Sequence, residues 1–271
     1  MNTASVADRL DFARDAARAA GALTLEHFRS SDLAVEQKQD MTPVTVADRG
    51  AEQLLRQRIR ERFPSDSVLG EEFGETPGSS GFRWILDPID GTKAFVCGVP
   101  LYGTLIGLEH EGRSVLGIIH LPALDEMVWG SVGQGAWLQR GAAKPVAARV
   151  STRAKLADAV FCTSEVASFG QVNRQASYEA MQKATRLSRT WGDCFGYALV
   201  ATGRADVMID PIMSIWDAAA LQPIMEESGG TFTNWRGEPT IHSGEGVATN
   251  GILLPEVLSV LKAAGESADW R

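Results

Sequence analysis

The chain has 271 residues, which is long enough for one large or two modest domains with substantial cores. Hydrophobic residues make up 44% and charged residues 22% of it, as is typical of a soluble globular protein. A formal net charge of −8 argues against nucleic-acid partners and anionic membrane surfaces, because both require a basic face, and it means that an anionic substrate needs a cation to bring it in.

Neither a targeting segment nor a membrane span is expected. Residues 1–10 are polar and lack the basic and then apolar pattern of a signal peptide, and no apolar run approaches the length of a bilayer span. We therefore expect a cytoplasmic protein.

Cys97, Cys162 and Cys194 lie far apart and outside any CxxC spacing, which predicts neither a disulfide framework nor a zinc site. The histidines are equally scattered, so carboxylate and carbonyl oxygens, which favour Mg²⁺ or Mn²⁺, are the available metal ligands.

The N-terminal region is predicted to form a helix, then a hairpin or a mobile loop, and then a second helix. Apolar residues at helical spacing over residues 5–29 predict a long amphipathic helix that packs on a sheet. Residues 35–48 are polar and then alternating, which is typical of a hairpin or a mobile loop, and they include Lys38 and Asp48. A helix over 48–63 follows, with Asp48 either as its N-cap or as a functional acid.

Two strand-like runs come next, and each ends in acidic residues. Residues 68–70 predict a short strand that leads to Glu71, and a second strand begins at residue 84 and stops at Asp87. The Gly- and Ser-rich loop 76–81 joins them. Because this loop lets the two strands lie side by side, their acidic ends should come together.

The stretch 84–99, WILDPIDGTKAFVCGV, is the centre of the predicted site. A strand that ends in carboxylates and leads directly into a helix at Gly91-Thr92 places anionic oxygens beside unsatisfied backbone N–H groups, an arrangement that can hold a metal and a phosphate. Asp-Pro-x-Asp-Gly is also ordinary turn chemistry. Two further acidic islands, at 70–72 and 216–219, favour a shared site of oxygen ligands.

The remainder divides into an antiparallel part and an alternating part. Short turns separate strand-like runs, which predicts an antiparallel meander with strands at 102–108, 115–120, 126–129 and 136–138. After residue 150 helix and strand alternate, with strands at 159–163, 187–191 and 207–209 and helices at 173–183, 194–203, 217–228 and 255–264. We therefore predict an N-terminal α+β domain over 1–150 with the antiparallel sheet and the metal motifs. A C-terminal α/β domain over 151–271 should complete the metal site and supply specificity.

Four motifs, in their order and separation, closely resemble those of the inositol monophosphatase family: TVAD at 45–48, GEE at 70–72, DPIDGT at 87–92 and WDAA at 216–219. The resemblance spans nearly the whole chain. It implies a layered αβαβα sandwich, a homodimer, and hydrolysis of small phosphomonoesters with Mg²⁺. Strings such as TPVTVADR, VLGEEFG and GTKAFVCGVP are similar to the histidinol-phosphatase branch. Lys93 departs from the Thr common in inositol phosphatases, although nucleotide-directed relatives can also have Gly-Thr-Lys.

The resemblance also implies roles for the acidic residues. Two or three Mg²⁺ ions, or Mn²⁺ as a substitute, would be held by Glu71, Asp87, the Ile89 carbonyl, Asp90 and Asp217, and Asp48 would support a further, weaker ion. Glu71 and Thr92 are assigned to activation of a bound water, and the N–H groups of Gly91 and Thr92 to the phosphate. Lys93 either adds positive charge there or is a solvated surface lysine.

Substrate specificity is expected to come from the second domain. A strand over 187–193 would place Arg189, Trp191 and Asp193 on one face, and Asp210 ends a neighbouring strand. We expect Asp193 and Asp210 to bind the ammonium or imidazole of a cationic amino alcohol, while Arg189 bridges acid and phosphate. The expected substrate-binding set is Ile89, Asp90, Gly91, Thr92, Arg189, Asp193, Asp210 and Asp217.

These residues favour a Mg²⁺-dependent phosphatase that acts on L-histidinol phosphate. Two carboxylates would attract a cationic leaving group more strongly than a neutral polyol. The alternatives are an inositol-1-monophosphatase or a 3′-phosphonucleotide phosphatase of the same fold and, from another class, a metabolite-sensing pseudo-phosphatase. A purely structural role for three clusters of buried acids is disfavoured, since unpaired buried charges are costly. The expected partners are a small phosphomonoester and a second copy of the chain.

Overall fold

The computed structural model describes residues 3–31, 35–37 and 43–265, and Lys38 lies outside these ranges. The helices that they form are α1 (Thr3–His27), α2 (Val46–Arg62), α3 (Thr92–Val96), α4 (Val166–Gln171), α5 (Gln175–Ala184), α6 (Asp193–Ala201), α7 (Ile215–Ala219), α8 (Leu221–Glu227) and α9 (Leu254–Gly265). Over the described part of the chain, no helix has the length and apolar character needed to cross a membrane.

The strands form three sheets. Strand β1 (Val35–Gln37) pairs antiparallel with β2 (Pro43–Thr45), which agrees with the hairpin, one of the two possibilities expected for this stretch. The first large sheet contains β3 (Ser67–Gly70), β4 (Gly74–Thr76), β5 (Phe82–Asp90), β6 (Gly103–His110), β7 (Arg113–Leu121), β8 (Glu126–Ser131), β9 (Gly135–Arg140) and β10 (Val146–Ala147). The second contains β11 (Val160–Cys162), β12 (Leu187–Arg189), β13 (Val207–Asp210), β14 (Thr231–Thr233) and β15 (Gly246–Thr249).

The first large sheet has the order β10-β9-β8-β7-β6-β5-β3-β4. Strands β5 to β9 form the predicted antiparallel meander. Only β3 and β5 run parallel among the pairs described in this sheet, with Gly70 opposite Leu86. This parallel pairing confirms the side-by-side arrangement expected of these strands, and it brings Glu71 and Asp87 to one edge.

Strand β5 is longer than predicted. The expectation that it stops at Asp87-Pro88 is wrong, because the strand continues to Asp90 and pairs there with β6. Asp87 lies opposite Leu105 and Asp90 opposite Gly103, so the register shifts between them. A bulge tolerates Pro88, which has no N–H to donate to the ladder, and its carbonyl accepts a hydrogen bond from Thr104 Oγ1 at 2.9 Å.

The elements stack in five layers. On β5, Trp84 packs with α1 and α2, whereas Ile85 belongs to a core shared with the second sheet. On β13, Met208 belongs to that shared core, whereas Val207 and Ile209 pack with α5 and α9. Helices α6, α7 and α8 fill the shared core between the sheets. The layered αβαβα sandwich is thereby confirmed, while the domain boundary near residue 150, which falls between β10 and β11, remains a prediction.

The helix predicted over 217–228 is divided into α7 and α8 at Ala220. Pro223 explains the division, because it has no N–H for the Ala219 carbonyl and its ring crowds that group. Ser114 Oγ on β7 donates to the Ala219 carbonyl instead, at 2.5 Å. The break therefore attaches the α7–α8 segment, which carries Asp217, to the first sheet.

A row of glycines makes room for this segment. Gly107, Gly117 and Gly130 are neighbours across β6, β7 and β8. A Cβ at Gly107 would lie 2.6 Å from Ala219 Cβ, one at Gly130 would lie 2.8 Å from the Ile224 Cα, and one at Gly117 would overlap the backbone of Ala220. Backbone cannot retreat as a side chain can, so these positions exclude any larger residue.

We expect Gly117→Ala to destabilise the fold by roughly 3 kcal/mol or more, because the new methyl group must displace the α7–α8 backbone. Urea denaturation would measure the loss. Since Asp217 moves with that backbone, metal affinity should fall as well, which calorimetric titration would show.

Gly50→Ala is the matched control for this substitution. Gly50 lies within α2, and a Cβ there would be 3.4 Å from the flexible end of Leu23. Helix propensity predicts a gain of about 0.5–1 kcal/mol. If both substitutions changed stability equally, the tight packing at Gly117 would not be what fixes the segment.

Candidate active site

A cavity of about 720 Å³ opens between the two large sheets, within the size range of small-molecule sites. Its walls come from the first sheet, from α3 and α4, and from the ends of strands in the second sheet. Acidic side chains dominate its lining, which includes Glu71, Asp87, Asp90, Glu165, Asp193, Asp210 and Asp217. The three acidic motifs identified in the sequence thus meet at one place.

Asp87, Asp90 and Asp217 form the centre of this cavity. One carboxylate oxygen of each lies within 4.8 Å of the others. The β5 bulge supplies Asp87 and Asp90, and the first turn of α7 supplies Asp217. Oxygens at this spacing can bind one hard cation in common.

The turn after β5 is fixed by its own hydrogen bonds. Ile89 N donates to Asp87 Oδ1 at 3.1 Å, and Thr92 Oγ1 donates to the Ile89 carbonyl at 3.0 Å. Gly91 adopts φ 86°, a left-handed conformation that suits glycine. The Thr92 hydroxyl therefore donates its hydrogen bond to Ile89, and its oxygen can accept a hydrogen bond from a water.

Asp217 and Asp48 reach the site through the same local device, the capping box. Each is the third residue of its helix and accepts the N–H of the N-cap residue, Ser214 at 2.6 Å and Thr45 at 2.7 Å. The interpretation of Asp48 as the N-cap is wrong, because α2 begins two residues earlier and Thr45 caps it. Asp48 is buried and close enough to raise the pKa of Asp87.

Glu71 lies on the wall beside Asp87. Its N–H donates to the Leu86 carbonyl at 3.2 Å, which continues the β3–β5 ladder by one residue. Glu71 lines the same cavity as Asp87 and Asp217, and after burial its charge is a further cause that raises the pKa values of both. The structure therefore brings together the carboxylates that the family resemblance assigns to metal binding.

Glu52 supports this wall and escaped prediction. Its buried carboxylate accepts the N–H groups of Glu72 at 2.7 Å and Phe73 at 3.3 Å, and it pairs with Arg56 at 2.6 Å. A Cβ at Gly70 would overlap the Glu52 carboxylate. A sequence signal was present, since Glu52 shares the apolar face of α2 with buried residues three and seven positions later.

The pKa values report the mutual repulsion of the central acids. Burial and then Glu71, Asp90 and Asp217 raise the pKa of Asp87 well above its usual range. Burial likewise raises the pKa of Asp217 to about 7. A divalent cation between these oxygens would offset both the desolvation and the like-charge repulsion. A donor set of carboxylates and a carbonyl therefore fits a hard cation.

Asp193 and Asp210 line the side of the cavity that faces the second sheet. Burial and then Asp210 raise the pKa of Asp193 to about 6. Asp210 is fully engaged, since one oxygen accepts Thr163 Oγ1 and Ser164 N and the other accepts Ser164 Oγ and Tyr197 Oη. Of the two predicted cation-binding acids, Asp193 is thus the better placed for a direct contact.

The strand predicted over 187–191 is shorter in the structure, where β12 ends at Arg189. Its extension to residue 193 is wrong, because Asp193 begins α6 with φ 53°. Ser164 Oγ fixes this start by accepting Asp193 N at 2.8 Å. Arg189 and Trp191 do not share a strand face with Asp193, and neither belongs to the cavity lining. The Arg189 guanidinium donates to the Ser188 carbonyl, so its substrate contact remains a prediction.

The two walls contact one another at Asp90. Cys194 N, in the first turn of α6, donates to Asp90 Oδ2. A Cβ at Gly91 would lie 3.1 Å from Asp193 Oδ2, so the glycine allows Asp193 to approach the β5 turn. Ser164 and Cys194 act through backbone groups and hydroxyls, which no pattern of charged residues indicates in advance.

We expect Glu52→Gln to destabilise the protein by roughly 3 kcal/mol, because the amide turns a donor toward the Glu72 N–H and leaves Arg56 without its charge partner. Mg²⁺ affinity should also fall, since the 71–73 turn loosens. Thermal unfolding and calorimetric titration measure the two effects. Glu61→Gln on the exposed face of α2 is the control, and equal effects of the two variants would contradict a supporting role for Glu52.

Comparison with known proteins agrees with this geometry. The model of the inositol monophosphatase family matches residues 6–266. Histidinol-phosphatase from Chlorobaculum parvum is 45% identical over 89% of this chain and 91% of its own, and histidinol-phosphatase from Mycobacterium tuberculosis is 39% identical over 94% and 98%. A solved structure of the extragenic suppressor protein SuhB from Bartonella henselae superposes with a TM-score of 0.87 at 28% identity, covering 94% of this chain and 98% of that one. A Thermotoga maritima IMPase superposes with a TM-score of 0.84 at 32% identity, covering 96% and 99%. The chain therefore belongs to the inositol monophosphatase family and is a phosphomonoester hydrolase.

Proposed function

We propose that this hydrolase uses Mg²⁺ to convert L-histidinol phosphate to L-histidinol and phosphate. The observation that carries the proposal is Asp193, a further carboxylate against the β5 turn, in addition to the acids of the metal centre. An acid beside the phosphate position would attract a leaving group that carries positive charge. The names of the relatives from C. parvum and M. tuberculosis support the same substrate.

Two or three Mg²⁺ ions would be held by Glu71, Asp87, the Ile89 carbonyl, Asp90 and Asp217, with Asp48 behind them, and Mn²⁺ has the same ligand preference. The bound ions would neutralise phosphate charge and lower the pKa of a water. The chain's own groups would do the rest: the Thr92 hydroxyl, which donates its hydrogen bond to the Ile89 carbonyl, would accept a hydrogen bond from the attacking water, and Glu71 would take the proton that the water loses.

The phosphate and the leaving group would lie on opposite sides of the β5 turn. Backbone N–H groups of Gly91 and Thr92 would hold the phosphate oxygens. Asp193 would accept the ammonium or imidazole of the leaving group, and Asp210 would keep that wall in place through Ser164. Arg189 would join this contact only after a rotation of its side chain. A homodimer and a cytoplasmic location complete the proposal, and gel filtration with light scattering tests the former.

A substrate panel at fixed Mg²⁺ tests the proposal most directly. We expect kcat/KM for L-histidinol phosphate to exceed that for inositol 1-phosphate, a 3′-phosphonucleotide and 2-glycerol phosphate by about tenfold or more. Asp193→Asn should reduce this preference, because it removes a charge that only the cationic ester uses. Equal values of kcat/KM for all four esters would refute the assignment, and a preference for the inositol ester would replace it. Absence of turnover with all four would favour the metabolite sensor.

Magnesium binding should depend on pH. Burial raises the pKa of Asp217 to about 7 and that of Asp48 to about 6, and a cation prefers the charged carboxylates. Binding therefore releases protons, and we expect affinity to fall as the pH decreases from about 8 to about 5. Calorimetry in buffers of different ionisation enthalpy would count the protons.

Stability should show the complementary trend. Because these pKa values are raised by folding, the folded metal-free protein retains protons that the unfolded chain has released. Their stabilising contribution is complete below about pH 4 and is lost as the pH rises through about 7. The increase in Tm caused by Mg²⁺ over EDTA should therefore grow with pH, and it should grow less in Asp217→Asn. An increase that is the same at every pH would contradict the prediction.

A further inference from the structure

Lys93 and Glu165 meet at the cavity and connect its two walls. Lys93 lies in α3, immediately after the β5 turn, and Glu165 is the residue before α4, on the side of the second sheet. Lys93 Nζ is 2.5 Å from Glu165 Oε2, and both residues line the cavity. The metal motifs include neither residue, so metal binding does not account for this pair.

Each member of the pair lies beside one of the two binding regions described above. Lys93 follows Thr92, whose N–H belongs to the phosphate position. Glu165 follows Ser164, the residue that contacts both Asp193 and Asp210. The charges of Lys93 and Glu165 also act in opposite directions on Asp193, since the former lowers and the latter raises its pKa. A positive group therefore stands on the phosphate side and a negative group on the leaving-group side.

The pair is held loosely. The Lys93 side chain is 68% exposed and that of Glu165 is 46% exposed. Ion pairs this accessible to water contribute little to stability, because solvent screens them and both long side chains lose freedom. A ligand that offers each charge a better partner can therefore separate them at small cost.

We propose that the Lys93–Glu165 pair determines specificity by exchanging partners with a substrate of complementary charge: the phosphate takes the Lys93 ammonium, and a cationic amine or imidazolium on the leaving group takes the Glu165 carboxylate. This inference rests on the proposed function and adds to it two contacts outside the metal centre. An ester with a neutral leaving group opens the same pair but leaves Glu165 without a new partner. The pair thereby discriminates against such esters as well as favouring cationic ones.

The exchange couples the two halves of the substrate. Inorganic phosphate alone must draw Lys93 away from Glu165, and a free amine alone must draw Glu165 away from Lys93. Each ligand frees the residue that the other needs, so each strengthens binding of the other by the same factor. Removal of one charge should then weaken one ligand and tighten the other.

Binding measurements on Lys93→Met and Glu165→Gln test this reciprocity, with inorganic phosphate and L-histidinol as probes in the presence of Mg²⁺. In Glu165→Gln we expect L-histidinol to bind about fivefold more weakly and phosphate more tightly than in the unaltered protein. In Lys93→Met the two effects should be reversed. A purely structural contact between α3 and α4 cannot give opposite signs, so weaker binding of both probes by both variants would overturn the proposal.

Glu238→Gln is the matched control, because Glu238 pairs with Arg236 at 3.1 Å on an exposed surface and does not line the cavity. It should leave both affinities unchanged. In kinetics, the preference for L-histidinol phosphate over 2-glycerol phosphate should fall about tenfold in Glu165→Gln. An unaltered protein that hydrolyses both esters equally well would refute the proposed function itself. A clear preference in that protein, without the reciprocal pattern in its variants, would refute only the role of the pair.

Discussion

The repulsion among Asp87, Asp90 and Asp217 is the constraint on which the rest of the structure depends. Folding brings an oxygen of each within 4.8 Å of the others, and burial of Asp87, with partial burial of Asp90 and Asp217, reduces the screening of their charges by water. Like charges held this close oppose the compact state unless a cation or protons compensate them. The surrounding chain must therefore hold these groups in place against a force that separates them.

Rigid backbone contacts supply that restraint. The parallel pairing of β3 with β5 fixes the edge at which Glu71 and Asp87 emerge, and the bulge in β5 brings Asp90 back to the same side. On the same sheet, the row formed by Gly107, Gly117 and Gly130 lets the α7–α8 backbone, which carries Asp217, pack directly against the strands. These are contacts of main chain with main chain, which deform less than side-chain packing does. Active sites of this kind are less stable than they could be, because they hold like-charged groups in place for the reaction.

Local patterns predicted the individual elements, since strand alternation and helical periodicity mark helices and strands. The layered sandwich and the residues that meet in it came from the family resemblance, which the order of the GEE, DPIDGT and WDAA motifs carries. What the sequence did not predict depends largely on contacts between distant segments. The extension of β5 through Pro88 needs the register with β6. The division of α7 from α8 follows instead from Pro223, a local signal that the predicted helix over 217–228 disregarded, and Ser114 then binds the freed Ala219 carbonyl. Glu52 was missed because its partners are N–H groups about twenty residues away.

The wall that would receive the leaving group has one hydroxyl at its centre. Ser164 Oγ accepts Asp193 N and donates to Asp210, which Tyr197 and Thr163 also contact, so four side chains and the start of α6 share one network. The effects of substitutions within such a network are not additive. A hydrogen-bonding group that loses its partner lowers stability until the other groups of the network are changed as well. Descendants of this chain would therefore reach a different leaving group more readily through exposed positions such as Glu165 than through the interior of the network. Diversification within the family would then begin at the rim of the cavity and spare its base.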